Sequence, residues 1–347
     1  MNFVTGRAGG KPTARARIGR AALAVTAALA FAPAAFAPTH AEAASPVVVP
    51  RCGQPARSAP RLPAAIPFAA ATAAPPAITA HAAVVIDAGT GRVLYDLHAH
   101  DRLPPASTTK IMTAILAIER GDLGRTVVSD VDARTLTGSS VMGLRPGVAI
   151  TVQDLLYGLM LPSGNDAAIE LAKSTDGGEQ AFVDHMNQKA QELGLTDTHF
   201  VNPHGLDNPG HYSSAFDLAA LARYGMNNPQ FAQLVATRDY HLAPPSDYGL
   251  HNGNSLLQRY PGADGVKIGW TEDAGWTLVG SAEHDGHRLI ATVLNSKDRD
   301  ADAAALLDWS FQSYHWLQLS PQTEATLRLA QRFGLGGGII RSLAICG

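Results

Sequence analysis

A serine and a lysine three residues apart, Ser107 and Lys110, are the residues whose types and spacing best fit covalent chemistry. They follow Pro104-Pro105 and open an apolar run with helical spacing, which predicts a helix ending at Gly121. Residues three apart share one helix face, so the serine hydroxyl and the lysine amine can meet. A desolvated lysine can lose its proton and activate the serine. The same spacing also fits a helix cap followed by a surface lysine, so the pair alone defines no site.

The elements that must position this pair lie at both ends of the chain. A hairpin is predicted at 83–87 and 93–96, and the late strands are predicted at 266–270, 276–283 and 288–294. The predicted helices lie between and after them, at 107–120, 151–160, 166–174, 179–193, 214–224 and 300–314. This order favours an α+β fold, in which one sheet is built from both chain ends and a helical subdomain is inserted between them.

Two further motifs extend the serine–lysine pair. Ser163-Gly164-Asn165 falls in a loop between helices, and Lys267-Ile268-Gly269 falls on the first late strand. In this order the three motifs resemble the signature of the serine penicillin-binding proteins and β-lactamases. Four sequence segments narrow this resemblance to one family within the group, namely residues 105–110, 162–168, 202–206 and 264–267.

The chain is most similar to the low-molecular-weight D-alanyl-D-alanine carboxypeptidases, peptidase family S11, over roughly residues 82–318. The resemblance implies a β-lactamase/transpeptidase-like fold, with an antiparallel sheet flanked by helices and an inserted all-helical subdomain. It also implies that Ser107 forms an acyl-enzyme and that Lys110 is its base, although the identity of the base is disputed in relatives. Ser163 would relay a proton to the leaving amine, and Asn165 would hydrogen-bond Lys110 and the substrate amide.

The same resemblance implies a substrate-binding set on the late strand. It consists of Lys267, Gly269, Trp270 and Arg299. Lys267 would keep the field positive, and the N–H groups of Ser107 and Trp270 would form the oxyanion hole. Arg299 is the candidate for binding the terminal carboxylate.

Three aromatic side chains near the motifs are interpreted as structural. The side chains of Trp270 and Trp276 are predicted to pack rather than to stack on a ligand. His204, in a loop with Asn, Pro and Gly, is predicted to fix local structure rather than to act as a general base.

Ile268 departs from the family, which has threonine there. The family hydroxyl helps to hold the substrate or antibiotic carboxylate, and isoleucine cannot replace that hydrogen bond. The hypothesis is a weakened but real carboxypeptidase with reduced penicillin affinity. Thr271 or Arg299 would compensate in part.

Several functions share these motifs. The favoured one is a D,D-carboxypeptidase that trims peptidoglycan stem peptides and is acylated by β-lactams. A D,D-endopeptidase on cross-links is the nearest alternative, and a peptidoglycan-binding pseudoenzyme weakened by Ile268 is another. A β-lactamase is disfavoured, because Glu179 and Glu192 fall inside predicted helices rather than on a loop.

The amino-terminal region indicates export. Residues 1–43 form a predicted signal peptide, with a basic leader, an apolar stretch at 21–37 and a small-residue cleavage site at Ala41-Glu42-Ala43. A membrane-spanning helix is disfavoured, because the apolar stretch is short and broken by proline. An Ala/Pro-rich linker (44–80), a peptidase domain (81–318) and a short tail (319–347) follow. The protein is expected to be periplasmic or extracellular and cell-wall associated, without a transmembrane anchor after cleavage.

Composition excludes other classes. The net charge is -3, and no basic face or block of positive charge indicates nucleic-acid binding. The two cysteines, Cys52 and Cys346, show no metal-site spacing, and a disulfide between them is disfavoured. No metal or organic cofactor is implied.

Overall fold

A computed structural model describes residues 65–69, 74–242, 244 and 246–318. The predicted signal peptide, the predicted tail, both cysteines and most of the predicted linker lie outside these residues. Within them, no helix has the length and apolar character needed to cross a bilayer.

Strands and helices alternate in blocks along this part of the chain. The strands are β1 Ala65–Ala69, β2 Ala82–Asp87, β3 Val93–Leu97, β4 Thr126–Val128, β5 Ala149–Thr151, β6 Asp239–His241, β7 Gly249–His251, β8 Ala263–Thr271, β9 Gly275–His284, β10 His287–Ser296 and β11 Tyr314–Gln318. The α-helices are α1 Lys110–Arg120, α2 Val152–Met160, α3 Asn165–Asp176, α4 Glu179–Glu192, α5 Ala215–Met226, α6 Pro229–Ala236, α7 Leu256–Arg259 and α8 Arg299–Ser313. Short 3₁₀ turns occupy Ala106–Thr109 and Ala133–Thr135.

One five-stranded sheet organises the fold, in the order β3-β2-β10-β9-β8. All of its pairs are antiparallel, and β8 lies at one edge. β2 is buried throughout, with Val84 and Ile86 in one core cluster and Val85 in the other. Such burial on both faces explains why its sequence is a continuous apolar run rather than an alternating one.

Helices cover both faces of this sheet. α8 supplies Leu306 and Leu307 to the core on one side, while α1, α5 and α6 pack on the other. α2, α3 and α4 gather around α1 and form the inserted helical part. The predicted α+β fold, with an antiparallel sheet flanked by helices, is confirmed.

Local signals set the helix ends. The Thr151 and Ser214 side chains accept hydrogen bonds from the N–H groups of Asp154 and Asp217, as N-cap residues do. α1 ends at Gly121, which has a φ of 79° that glycine adopts without strain. The predicted boundaries of these helices therefore lie close to the observed ones.

Several regions differ from the predictions, and β4, β5 and β11 lie where no strand is predicted. No element is predicted between 225 and 264, yet α6, α7 and the β6–β7 hairpin lie there. The predicted linker contains β1, which pairs with β11.

Residues 74–80 also belong to the folded domain. The Thr79 N–H donates to Asp302 Oδ1 at 2.9 Å, and the Thr79 hydroxyl donates to Asp302 Oδ2 at 2.8 Å. These bonds join the chain before β2 to the first turn of α8, so ordered contacts begin before the predicted boundary at residue 81.

A buried carboxylate on the third helix fixes the loop at 142–144. Asp166 is fully buried and accepts hydrogen bonds from the N–H groups of Met142, Gly143, Leu144 and Ala167 at 2.8–2.9 Å. Each of these donors would lose its partner in the interior without the carboxylate, which makes Asp166 a structural anchor beside Asn165.

Asp166→Asn is expected to lower the free energy of unfolding by about 3 kcal/mol or more, because an amide has one acceptor oxygen for four buried donors. Urea denaturation measures the change. Asp130→Asn is the matched control. Asp130 is an exposed carboxylate with one ion pair, to Lys173 at 2.7 Å, and its loss is expected to cost under about 1 kcal/mol. Equal effects of the two variants would contradict the anchoring role.

Candidate active site

Ser107 lies in the 3₁₀ turn that leads into α1. Its hydroxyl oxygen accepts a hydrogen bond from Lys110 Nζ at 2.9 Å, so the predicted contact between the two side chains is present. The turn, rather than the predicted first turn of an α-helix, holds the serine, and Ala106 before it has a φ of 50°. This backbone aims the serine side chain back at the lysine.

The Lys110 amine is fully buried among oxygen acceptors. Besides Ser107, it donates to Asn165 Oδ1 and to the main-chain oxygen of His204, both at 2.7 Å. Burial lowers the pKa of Lys110 well below its usual value, and the positive charge of Lys267 lowers it further, against an opposing effect of Asp166. Both effects disfavour the protonated form of the amine relative to that of an exposed lysine.

The three acceptors decide what the neutral amine can do. A protonated lysine has three N–H donors, whereas a neutral one has two donors and a lone pair. The amide oxygen of Asn165 and the carbonyl oxygen of His204 carry no proton, so they take the two donors. When the amine is neutral, its lone pair is thus left for the Ser107 hydroxyl, which would reverse the direction of that hydrogen bond, as a general base requires.

The loop at 201–211 places the His204 carbonyl. The Thr113 hydroxyl donates to the Pro203 oxygen at 2.6 Å, and Asn202 Oδ1 accepts from the Gly205 N–H at 2.6 Å. Gly205 has a φ of 91°, and a Cβ atom there would collide with the Ala106 carbonyl. The loop therefore lies directly against the turn that carries the nucleophile.

A buried histidine fastens the same loop to that turn. His211 Nδ1 accepts from the Val201 N–H at 3.0 Å, so Nε2 carries the proton and donates to Thr109 Oγ1 at 2.8 Å. Burial lowers the pKa of His211 to about 4, so the neutral tautomer persists at neutral pH. Sequence patterns gave no indication of this residue.

The side chain of His204 has a local role, in agreement with its sequence interpretation. His204 Nδ1 accepts from the Leu206 N–H at 3.2 Å. Burial, and then the charge of Lys110, lower its pKa to about 3. The functional group of this residue is the carbonyl, which residue type alone cannot reveal.

Ser163 lies in the loop before α3. It has a φ of 66°, and its buried hydroxyl has no hydrogen-bond partner among the described residues. No hydrogen bond among the described residues joins it to Ser107 or Lys110, so its predicted role as a proton relay rests on its position two residues before Asn165. A buried hydroxyl without a partner is free to bind a substrate group.

The edge strand β8 passes beside the nucleophile. A Cβ atom on Gly269 would lie 2.8 Å from the Ser107 nitrogen and 2.5 Å from Thr277 Oγ1, so only glycine permits this approach. Lys267 is buried on the same strand, and its ammonium donates to the Ile268 oxygen at 3.0 Å. Burial, followed by the charge of Arg299, lowers its pKa to about 7.

Arg299 meets the same strand from the start of α8. Its Nη1 donates to the Gly269 oxygen at 2.8 Å, and its guanidinium lies 4.5 Å from the centre of the Trp276 ring. Trp270 and Trp276 are 52% and 43% exposed, and their ring centres lie 5.9 Å apart. That these side chains pack rather than stack on a ligand stays a prediction. The Thr271 hydroxyl donates to Asp207 Oδ1 at 2.6 Å, which leaves it a poor substitute for the hydroxyl missing at Ile268.

These residues define a class of protein. A serine next to a desolvated amine, with backbone N–H groups and cations at hand, is the arrangement of a serine hydrolase that acts by acyl transfer. Among the described residues, no group of three or more His, Cys, Asp and Glu side chains is placed to hold a metal.

Comparison with known proteins gives the family. The Peptidase_S11 family, described as D-alanyl-D-alanine carboxypeptidase, matches residues 69–298. D-alanyl-D-alanine carboxypeptidase DacF of Bacillus subtilis is 40% identical over 262 residues, which cover 72% of this chain and 67% of the relative. The chain belongs to this family.

Two solved structures agree with this assignment. A D-alanyl-D-alanine carboxypeptidase from Mycobacterium tuberculosis H37Rv has a TM-score of 0.66 and 38% identity, over 73% of this chain and 97% of that one. The Streptomyces K15 DD-transpeptidase has a TM-score of 0.65 and 34% identity, over 69% and 100%. The predicted transpeptidase-like fold is confirmed.

Gly269→Ala is expected to slow acylation of Ser107 by benzylpenicillin about a hundredfold or more, because the added methyl group pushes β8 away from the nucleophile. Rapid mixing and quenching at a series of times, followed by intact-mass measurement of the acylated fraction, gives the acylation rate. Gly124→Ala is the control, since a Cβ atom there meets nothing within 4 Å. An unchanged rate in Gly269→Ala would show that the close approach does not matter.

Proposed function

We propose that the protein is an exported serine D,D-carboxypeptidase that removes the terminal D-alanine from peptidoglycan stem peptides. The observation that carries the proposal is the hydrogen-bonded set of Ser107, Lys110 and Asn165, in which the buried Lys110 Nζ lies 2.9 Å from Ser107 Oγ and 2.7 Å from Asn165 Oδ1. Membership of the peptidase S11 family supports the substrate.

In the acylation step, Ser107 Oγ forms a bond to the carbonyl carbon before the last D-alanine, and its proton moves to the Lys110 amine. The N–H groups of Ser107 and Trp270 stabilise the oxyanion. The carbon–nitrogen bond then breaks, and a proton passes through Ser163 to the leaving amine. Water cleaves the resulting ester by the reverse proton path, which restores the free serine.

The other site residues bind and orient the substrate in this proposal. Asn165 forms hydrogen bonds with Lys110 and with the substrate amide, and Lys267 supplies positive charge next to the Lys110 amine. Gly269 lets β8, on which the substrate would bind, lie close against the Ser107 turn. Arg299 binds the terminal carboxylate, supported by its place at the Gly269 carbonyl.

A D,D-endopeptidase that cleaves peptidoglycan cross-links is the second candidate. Ile268 favours it, because the site lacks the hydroxyl that helps to bind a free terminal carboxylate and because the Thr271 hydroxyl is engaged elsewhere. The pseudoenzyme hypothesis fits less well, since the nucleophile and base are in hydrogen-bond contact.

The location and the inhibitors complete the proposal. The basic leader and apolar stretch of residues 1–43 support export to a periplasmic or extracellular, cell-wall-associated site. β-Lactams would acylate Ser107 covalently. The domain limits at 81–318 remain a prediction, with ordered contacts already present at Thr79.

The first experiment measures the intact mass of the mature protein after exposure to excess benzylpenicillin. An adduct of one penicillin is expected on the parent protein, and none on Ser107→Ala, because the nucleophile is absent. No adduct on the parent at any concentration would favour the pseudoenzyme. Release of D-alanine from a monomeric pentapeptide, compared with cleavage of a cross-linked dimer, then separates carboxypeptidase from endopeptidase.

Ile268→Thr is expected to raise carboxypeptidase activity and penicillin acylation about ten- to a hundredfold, because a hydrogen bond to a charged group contributes roughly 1.5–3 kcal/mol. Ile268→Val is the matched control, since it has the shape of threonine without the hydroxyl. A gain shared by both variants would assign the effect to side-chain size, and no gain in either would contradict the hypothesis.

A further inference from the structure

Alternation along β8 separates two functional faces. Gly269 faces the Ser107 turn, so its neighbours Ile268 and Trp270 lie on the opposite face. Trp276 pairs directly with Trp270 across the β8–β9 ladder, and the two ring centres are 5.9 Å apart. Both rings are exposed on this face of the edge strand.

Arg299 is held on this face by two contacts of different kinds. The hydrogen bond to the Gly269 oxygen fixes one end of the guanidinium, and the Trp276 ring at 4.5 Å supports its plane. A guanidinium has five N–H donors, so these contacts leave donors for a ligand. The backbone of Arg299 is also fixed, because the Asp298 side chain caps α8 through the Ala301 N–H at 3.1 Å.

We propose that Trp276 is a positioning residue that holds Arg299 in the orientation needed to bind a substrate carboxylate. This inference rests on the proposed function, in which Arg299 receives the terminal carboxylate. Because Ile268 offers no hydroxyl and the Thr271 hydroxyl is donated to Asp207, the arginine carries most of the carboxylate recognition on this face. The orientation of Arg299 therefore affects carboxylate binding more in this protein than in relatives whose threonine also contacts the carboxylate.

The test measures binding rather than turnover. In the Ser107→Ala protein, the Kd values of an acetylated peptide ending in D-Ala-D-Ala and of its carboxamide are measured by NMR titration. The acid is expected to bind more tightly. Trp276→Leu is expected to weaken acid binding about tenfold, as loss of a partly desolvated cation–π contact would, and to change amide binding less than about twofold. Trp276→Phe retains a ring and is expected to retain most of the preference.

A double-mutant cycle separates positioning from general damage. With Arg299→Gln present, Trp276→Leu is expected to have no further effect on acid binding, because there is no guanidinium left to orient. Tyr224→Leu is the control. It removes another aromatic–cation pair, with Lys189 at 5.8 Å, and is expected to leave the acid-to-amide ratio unchanged.

Three results would overturn the proposal. In the first, the Ser107→Ala protein binds the acid no more tightly than the carboxamide. In the second, its preference for the acid survives Trp276→Leu. In the third, the losses of acid affinity caused by Trp276→Leu and Arg299→Gln are additive in the cycle. Failure of the proposed function has a different signature, which is acid-selective binding without release of D-alanine by the parent enzyme.

Discussion

The burial of one amine is the constraint on which this structure depends. Lys110 lies in the interior, where a charge is costly, and its amine contacts one hydroxyl oxygen and two oxygens that carry no proton. The fold must exclude water from the amine and also supply two proton-free acceptors at the correct angles. Helix α1, which carries the amine, supplies neither acceptor. The Asn165 oxygen comes from the start of α3, and the His204 oxygen comes from a loop 94 residues away in sequence.

That requirement explains the rigidity around the site. Asp166 anchors the segment beside Asn165, and the neutral His211 fastens the loop that bears the His204 carbonyl. Neither residue touches the nucleophile. Both act on the positions of the acceptors, so the chemistry depends on hydrogen bonds that lie one step behind the reacting atoms.

Some of this arrangement could be predicted from sequence. The Ser107–Lys110 pair is local, and its spacing is a property of any helical turn, so the contact followed from residue type and spacing alone. The predicted helix starts at 151 and 214 lie one residue before the observed starts at Val152 and Ala215, because signals for a helix start are also local. The hydrophobic runs of β2 and of the late strands indicated a sheet made from both chain ends.

Other features could not be predicted, and the reasons are physical. A backbone carbonyl leaves no mark in residue type, so His204 suggested a side-chain role instead. The pairing of Trp276 with Arg299 joins two elements by tertiary packing, and exposure of a tryptophan is not encoded in its immediate neighbours. The signal for α6 was present, since Asn228 caps it and Pro229 occupies its first turn, but the short helix lay in a stretch with no clear periodicity.

The hydrogen bonds of Thr79 help to determine how a pulling force on the amino-terminal segment would reach the folded domain. β1 pairs with β11 upstream of Thr79, so the segment before β2 is joined to the domain at two places, first by that ladder and then by the Thr79–Asp302 bonds. Asp302 lies in the turn of α8 that begins with Arg299. Tension passed on beyond β1 would therefore load this helical turn before it reached the strand pairing of β2.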